Sequence, residues 1–227
     1  MRSAARAALA CAVLAPGASQ AIEFHGDVGA SVVRTRSSAA GAPARTAWLP
    51  YVYGDAGPFF ARDDTFGAKL LPLGWGSLEL AARVSSEGAD SDGPGQAHRR
   101  DPRPVGLGTF QETPWGGVFA DAFFDAISHG TLLEASYAGE LALGPVTLYP
   151  QAGATRRSAR YVDHLYGTSR ASTAPMLALS GEWTVAGPWV LTAHVQREFF
   201  DAALRDAPRV ATRGRTSALL ALVWRFP

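Results

Sequence analysis

Three places in the chain hold side chains that could do chemistry. Ser128-His129 follows Asp125, the residue types of a hydrolase triad, in which a base takes the serine proton and a carboxylate orients that base. All three crowd into positions 125–129, where neighbouring side chains diverge, so a polar turn explains them better. Asp163-His164 offers two ligand types to a metal, but two ligands do not make a site. A loop packed on its own aromatics accounts for that pair. Asp90-Ser91-Asp92-Gly93 begins like a calcium loop and lacks the later Glu ligand, which leaves a solvated loop. The single cysteine is Cys11, so the chain beyond it has no thiol for a disulfide, a metal or a nucleophile. The expectation is a protein without a catalytic site, metal site or cofactor.

The charged residues follow another logic. Glu23, Asp27, Glu79, Arg83, Glu134, Glu140, Glu182, His194 and Arg225 fall in segments where polar and apolar residues alternate at period two. Thr131 to Leu141 sets the rule. Leu133, Ala135, Tyr137, Gly139 and Leu141 share one face, and Glu134, Ser136, Ala138 and Glu140 the other; Leu143-Gly144-Pro145 then reverses the chain into Val146 to Thr155. The same hairpin recurs at Pro175 to Gln196 around Ala186-Gly187-Pro188, and at Trp48 to Asp63 around Asp55-Ala56-Gly57-Pro58. With 24 Gly, 15 Pro and 227 residues, the composition predicts one all-β domain over 22–227.

Residues 1–21 read as a signal peptide: Arg2 and Arg6, a short apolar core from Ala7 to Ala15, then Ser19-Gln20-Ala21 before cleavage. Removing those two arginines from 21 Lys plus Arg leaves 19 against 20 Asp plus Glu, which gives no electrostatic ground for a nucleic-acid partner. Export, strands near the length of a tilted membrane-crossing strand, and Trp183, Trp189 and Trp224 near strand ends together predict an antiparallel transmembrane β-barrel of the outer membrane. A bilayer also demands closure, since an open sheet edge would leave backbone groups unpaired. The last strand carries Ala218, Leu220, Leu222, Trp224 and Phe226 on one face, with Pro227 after it. A secreted soluble sandwich or small barrel is the competing class.

Ten strands place the long polar segment 85–107 on the periplasmic side. Twelve place it outside, if the chain folds back at Asp63-Asp64-Thr65 and again at Pro114-Trp115-Gly116-Gly117. Both counts stay open. Segments 37–45, 158–172 and 199–214 read as outer loops, in which Arg209, Arg213 and Arg215 are candidates to meet lipopolysaccharide. The charges on the polar face point into the lumen, to be paired across strands in a plugged barrel or to line a narrow diffusion channel.

Leu49-Pro50-Tyr51-Val52-Tyr53-Gly54, Gly57-Pro58-Phe59-Phe60 and Phe66-Gly67-Ala68-Lys69-Leu70 resemble the opening of the MltA-interacting protein family, also called MipA/OmpV. Gly106-Leu107-Gly108 leading to Trp115 through Ala120, the segment Tyr161 to Gly167, and Leu204 to Pro208 before the final strand are similar to later landmarks of that family in the same order. The resemblance implies an outer-membrane barrel of Gram-negative bacteria without catalytic apparatus. It also implies a scaffold for a lytic transglycosylase and a murein synthase, with porin-like relatives.

Overall fold

The computed structural model describes residues 23–39, 42–90 and 98–227. The signal-peptide reading of 1–21, Cys11 and most of the calcium-like segment 90–93 lie outside them. The strands are β1 (Phe24–Arg36), β2 (Arg45–Ala56), β3 (Phe59–Arg62), β4 (Thr65–Leu73), β5 (Gly76–Arg83), β6 (Pro104–Thr113), β7 (Gly116–Asp125), β8 (Thr131–Gly139), β9 (Leu141–Leu143), β10 (Val146–Arg157), β11 (Ser172–Ala186), β12 (Trp189–Phe199) and β13 (Gly214–Phe226). Each pairs antiparallel with its neighbours, and β13 returns to pair with β1 from Gly26↔Phe226 to Arg36↔Thr216. β8 and β9 both pair with β10 and form one interrupted stave, so the closed barrel has 12 staves and the larger of the two expected counts holds. The reversals fall at Asp63-Asp64 and at Pro114-Trp115, as the twelve-strand reading required. Of the four strands these reversals create, β3 alone is short, with four residues; β4 has 9, and β6 and β7 have 10 each.

Both described termini and the tight turns at 57–58, 74–75, 114–115, 144–145 and 187–188 lie at one end, the turn end, while the tight reversal at Asp63-Asp64 faces the other way. Segments 37–44, 84–103, 126–130, 158–171 and 200–213 lie at the other, the loop end, so segment 85–107 shares the end of the other long loops. Gly57, Gly144 and Gly187 take left-handed φ of 59°, 65° and 53°, each followed by Pro. A glycine free to adopt positive φ before a proline fixed near −65° suits the two central positions of a tight hairpin turn whose twist matches its strands.

Alternation then sorts side chains by solvent. Leu107, Phe124, Leu133, Tyr137, Leu177, Leu179, Val195, Leu220 and Leu222 point outward and are exposed around the circumference. A patch of that extent exceeds what a soluble monomer shows to water and matches a lipid-facing wall. Trp183, Trp189 and Trp224 gather at the turn end, the last two edge to face at 5.2 Å, where amphipathic rings anchor a barrel at the membrane boundary.

Candidate functional site

The lumen is where this chain concentrates polar groups and specific contacts. On the seam between first and last strands, Arg225 of β13 makes a two-pronged contact with Asp27 of β1 at 2.8 and 2.7 Å, and also reaches Glu182 of β11 at 2.7 Å. Further round the wall Arg62 of β3 grips Glu79 of β5 at 2.8 and 3.0 Å, its guanidinium lying over the rings of Phe60 and Phe110. Arg83 joins Glu134 of β8 and Asp64, and stacks on Phe123. Paired forks of this kind are the strong form of ionic contact. Inside a narrow barrel they replace water with fixed side-chain geometry.

The sequence-predicted lumen residues divide by position. Asp27, Glu79, Arg83, Glu134, Glu182 and Arg225 point inward in the pairs just described, and His194 points inward with Nδ1 2.8 Å from Ser180 Oγ. Glu23 precedes β1 and stands in solvent, 3.8 Å from His25. Glu140 occupies the break between β8 and β9 at the turn-end mouth and is exposed. Beside that mouth a cavity of ≈ 450 Å³ opens between Asp55, Arg62, Lys69, Ser77 and Glu112.

At the loop end the lumen is filled. The segment expected as an outer loop at 158–172 contains α2 (Ala159–Tyr166), and the last loop holds α3 (Ala202–Arg205). The apolar residues of α2, Tyr161, Val162, Leu165 and Tyr166, fall on one side of two short turns, and all four are buried. They pack with Phe200, Leu204 and Ala207 against the inward-facing Phe60, Ala81, Phe123 and Leu132 of the wall. Gly167 closes α2 in a left-handed conformation (φ 75°), donating its N–H to the Asp163 carbonyl at 3.1 Å. Asp201 caps α3 by accepting from Leu204 N–H at 3.1 Å and ties it to β11 through Ser172 Oγ and Thr173 N–H.

An ionic knot locks this plug. Arg157, at the top of β10 and fully buried, binds Glu198 of β12 and, at 3.0 Å, Glu87 of the short helix α1 (Glu87–Asp90). Arg215 of β13 reaches the same Glu87 at 2.8 Å and Glu198 at 3.4 Å, and the Tyr161 hydroxyl donates to Glu87 at 2.6 Å. Burial works against ionising Glu87, but the two guanidinium groups and the hydroxyl outweigh it and hold the carboxyl well below the usual range. Burial, with the Glu87 charge beside it, pushes the Tyr161 hydroxyl far up. Three strands and two helices thus meet at two carboxylates.

This overturns part of the loop expectation. Arg215 turns inward into the knot, and the stem of Arg209 lies over Gly167; Arg213 alone of the three is simply exposed. The exposed, outward-pointing arginines at the loop end are Arg34, Arg36, Arg156 and Arg197. The other reactive candidates are structural. Asp125 accepts backbone N–H groups from Ser128 at 2.6 Å and Arg103 at 2.5 Å, and Ser128 Oγ accepts from Gly130 N–H, so the triad residue types build a turn. His164 Nε2 meets the Arg100 carbonyl at 2.9 Å, and Ser169 Oγ donates to Asp163 at 3.2 Å. Among the described residues no three His, Cys, Asp or Glu side chains gather as a metal site. Sequence reasoning missed Arg157 and Glu198, whose only trace was polar residues at the inward parity of two strand ends.

No curated protein matches the chain. Among solved structures, OmpTdeltaL8, the loop L8 deletion mutant of OmpT, an outer membrane protein of Vibrio cholerae, aligns over 90% of this chain and 98% of its own at 7% identity, with a TM-score of 0.37. The profile of the MltA-interacting protein MipA matches residues 28–226, nearly the whole chain. With its closed twelve-stave wall and this match, the chain is an outer-membrane β-barrel protein and belongs to the MltA-interacting protein MipA family.

Proposed function

We propose that this protein is a non-catalytic scaffold that holds murein-remodelling enzymes at the outer membrane. The observation that carries the reading is the filled lumen: wall charges paired across strands, with α2 and α3 packed into the loop-end mouth under an ionic knot. A barrel so filled offers surfaces in place of a passage. The family's own description names an interaction partner, and a lytic transglycosylase together with a murein synthase is the pair a scaffold of this kind would join. Those enzymes work in the periplasm, so the contact falls at the turn end, where tight turns and both described termini lie. The loop end then faces outward, and Arg34, Arg36, Arg156 and Arg197 meet lipopolysaccharide phosphates there as fork-shaped cations.

The alternative is a narrow diffusion channel, favoured by the open cavity at the turn-end mouth. Planar-bilayer recordings and a pull-down separate the two. Pure protein is expected to give no steady single-channel steps, and detergent-extracted protein to retain a lytic transglycosylase from a periplasmic extract. Steady steps together with an empty pull-down would replace the scaffold by the channel.

A further inference from the structure

The barrel wall has a gap. β3 pairs with β2 only from Tyr53↔Arg62 to Ala56↔Phe59, after which the chain turns back at Asp63-Asp64. β2 continues to Arg45 with β1 on one side, Thr35↔Arg45 being the last pair, and no strand among the described residues on the other. The edge from Thr46 to Val52 that carries no neighbouring strand among the described residues is roughly 23 Å long at the usual strand rise. Because β1, β12 and β13 stay paired up to the loop end, this edge borders a notch in the wall and does not stand above it. Exposure agrees: positions 43–50 are open on both faces of the strand, with Trp48 79% exposed and the inward Leu49 48% exposed.

The lumen behind the notch differs from the rest. Inward of β2 stand Leu49 and Tyr51, and inward of β13 stand Leu219, Ala221 and Val223; on β1 between them Ser31 is buried with its Oγ donating to the Leu49 carbonyl at 3.1 Å, so the strip is largely apolar. The outer lip, through Trp48 and Val52, continues the lipid-facing surface without a break, and Arg34 and Arg36 stand above it at headgroup height. Pro50 lies within the free edge, where a missing N–H weakens any added strand. From this geometry we infer that the notch is a lateral entry for an acyl chain of a membrane lipid. The chain lies against Leu49, Tyr51 and Leu219 while its phosphate stays outside with Arg34 and Arg36. The inference rests on the reading of the protein as a membrane barrel.

The test places one bimane label at a time on cysteines introduced in a Cys11→Ser background, in vesicles containing phospholipid with a nitroxide on its acyl chain. Leu49→Cys and, as a second inward position at the notch, Ala47→Cys are compared with the outward Leu220→Cys and with Ser136→Cys on the opposite inner wall. The expected result is quenching at 47 and 49 close to that at 220 and several-fold above that at 136. Quenching at both no greater than at 136, with 220 quenched, overturns the acyl site. Shielding of Trp48→Cys as well would mean that a protein segment covers the edge, which also overturns it. An unquenched label at 220 would instead remove the membrane barrel itself.

Discussion

Glu87 is the residue on which the loop end turns, since Arg157, Arg215 and Tyr161 all converge on its carboxylate. Breaking a buried ionic contact leaves an uncompensated charge, which costs about 3–5 kcal/mol for an isolated pair. Because Glu198 still holds Arg157, Glu87→Gln is expected to cost ~2 kcal/mol, read as a lower urea midpoint in detergent micelles. The sign of its pH dependence follows from the depressed carboxyl. Its stabilisation is complete above the ordinary glutamate pKa of about 4.3 and fades as the pH falls from there toward the depressed value. The wild type should therefore lose stability more steeply than Glu87→Gln below about pH 4, the gap between them narrowing; a gap that widens on acidification would contradict the assignment. None of this was legible in the sequence. Glu87 sits in a Gly- and Ser-rich loop with nothing to mark it, whereas Asp27, Glu79 and Glu134 announced themselves by parity within alternating strands.

Among the elements, the hairpins were readable and the plug was not. Gly-Pro turns punctuate the strands, and alternation gave each strand its inner face. α2 escaped notice because eight residues are too few for helical periodicity to stand out, and its apolar residues looked like loop aromatics. β3 was legible only as the return arm of the Trp48 to Asp63 hairpin, because four residues carry almost no pattern of their own. Two glycines test how the elements depend on backbone fit. At Gly187, φ is 53° and an added Cβ meets nothing within 4 Å, so Gly187→Ala should cost only the left-handed strain, about 1–2 kcal/mol. At Gly29 an added Cβ would collide with the Leu222 backbone across the seam. Gly29→Ala is expected to destabilise more than Gly187→Ala in the same urea titration. The reverse order would mean the seam can widen freely.

For the molecule as a whole, closure is the property to measure. A barrel closed by pairing its last strand to its first resists detergent until heated, so the expressed chain should partition with the outer-membrane fraction and migrate differently on a gel before and after boiling. A soluble chain with unchanged migration would contradict the membrane reading. The class was visible in advance because lipid imposes its rule on every strand at once. The count stayed open between ten and twelve because it hung on two reversals, at Asp63-Asp64 and Pro114-Trp115, that lack a Gly-Pro signature.

The seam from Gly26↔Phe226 to Arg36↔Thr216 joins the first described strand to the last. Its partners stand some two hundred positions apart in the chain, so no earlier portion can settle into a finished state. While β13 is missing, the exposed sides of β1 and β12 are both sticky, and an intermediate arriving at the membrane carries two adhesive borders at once. Biogenesis of this protein is thus an end-loaded process. A chain without β13 keeps both borders unmated, and such edges expose it to aggregation and proteolysis.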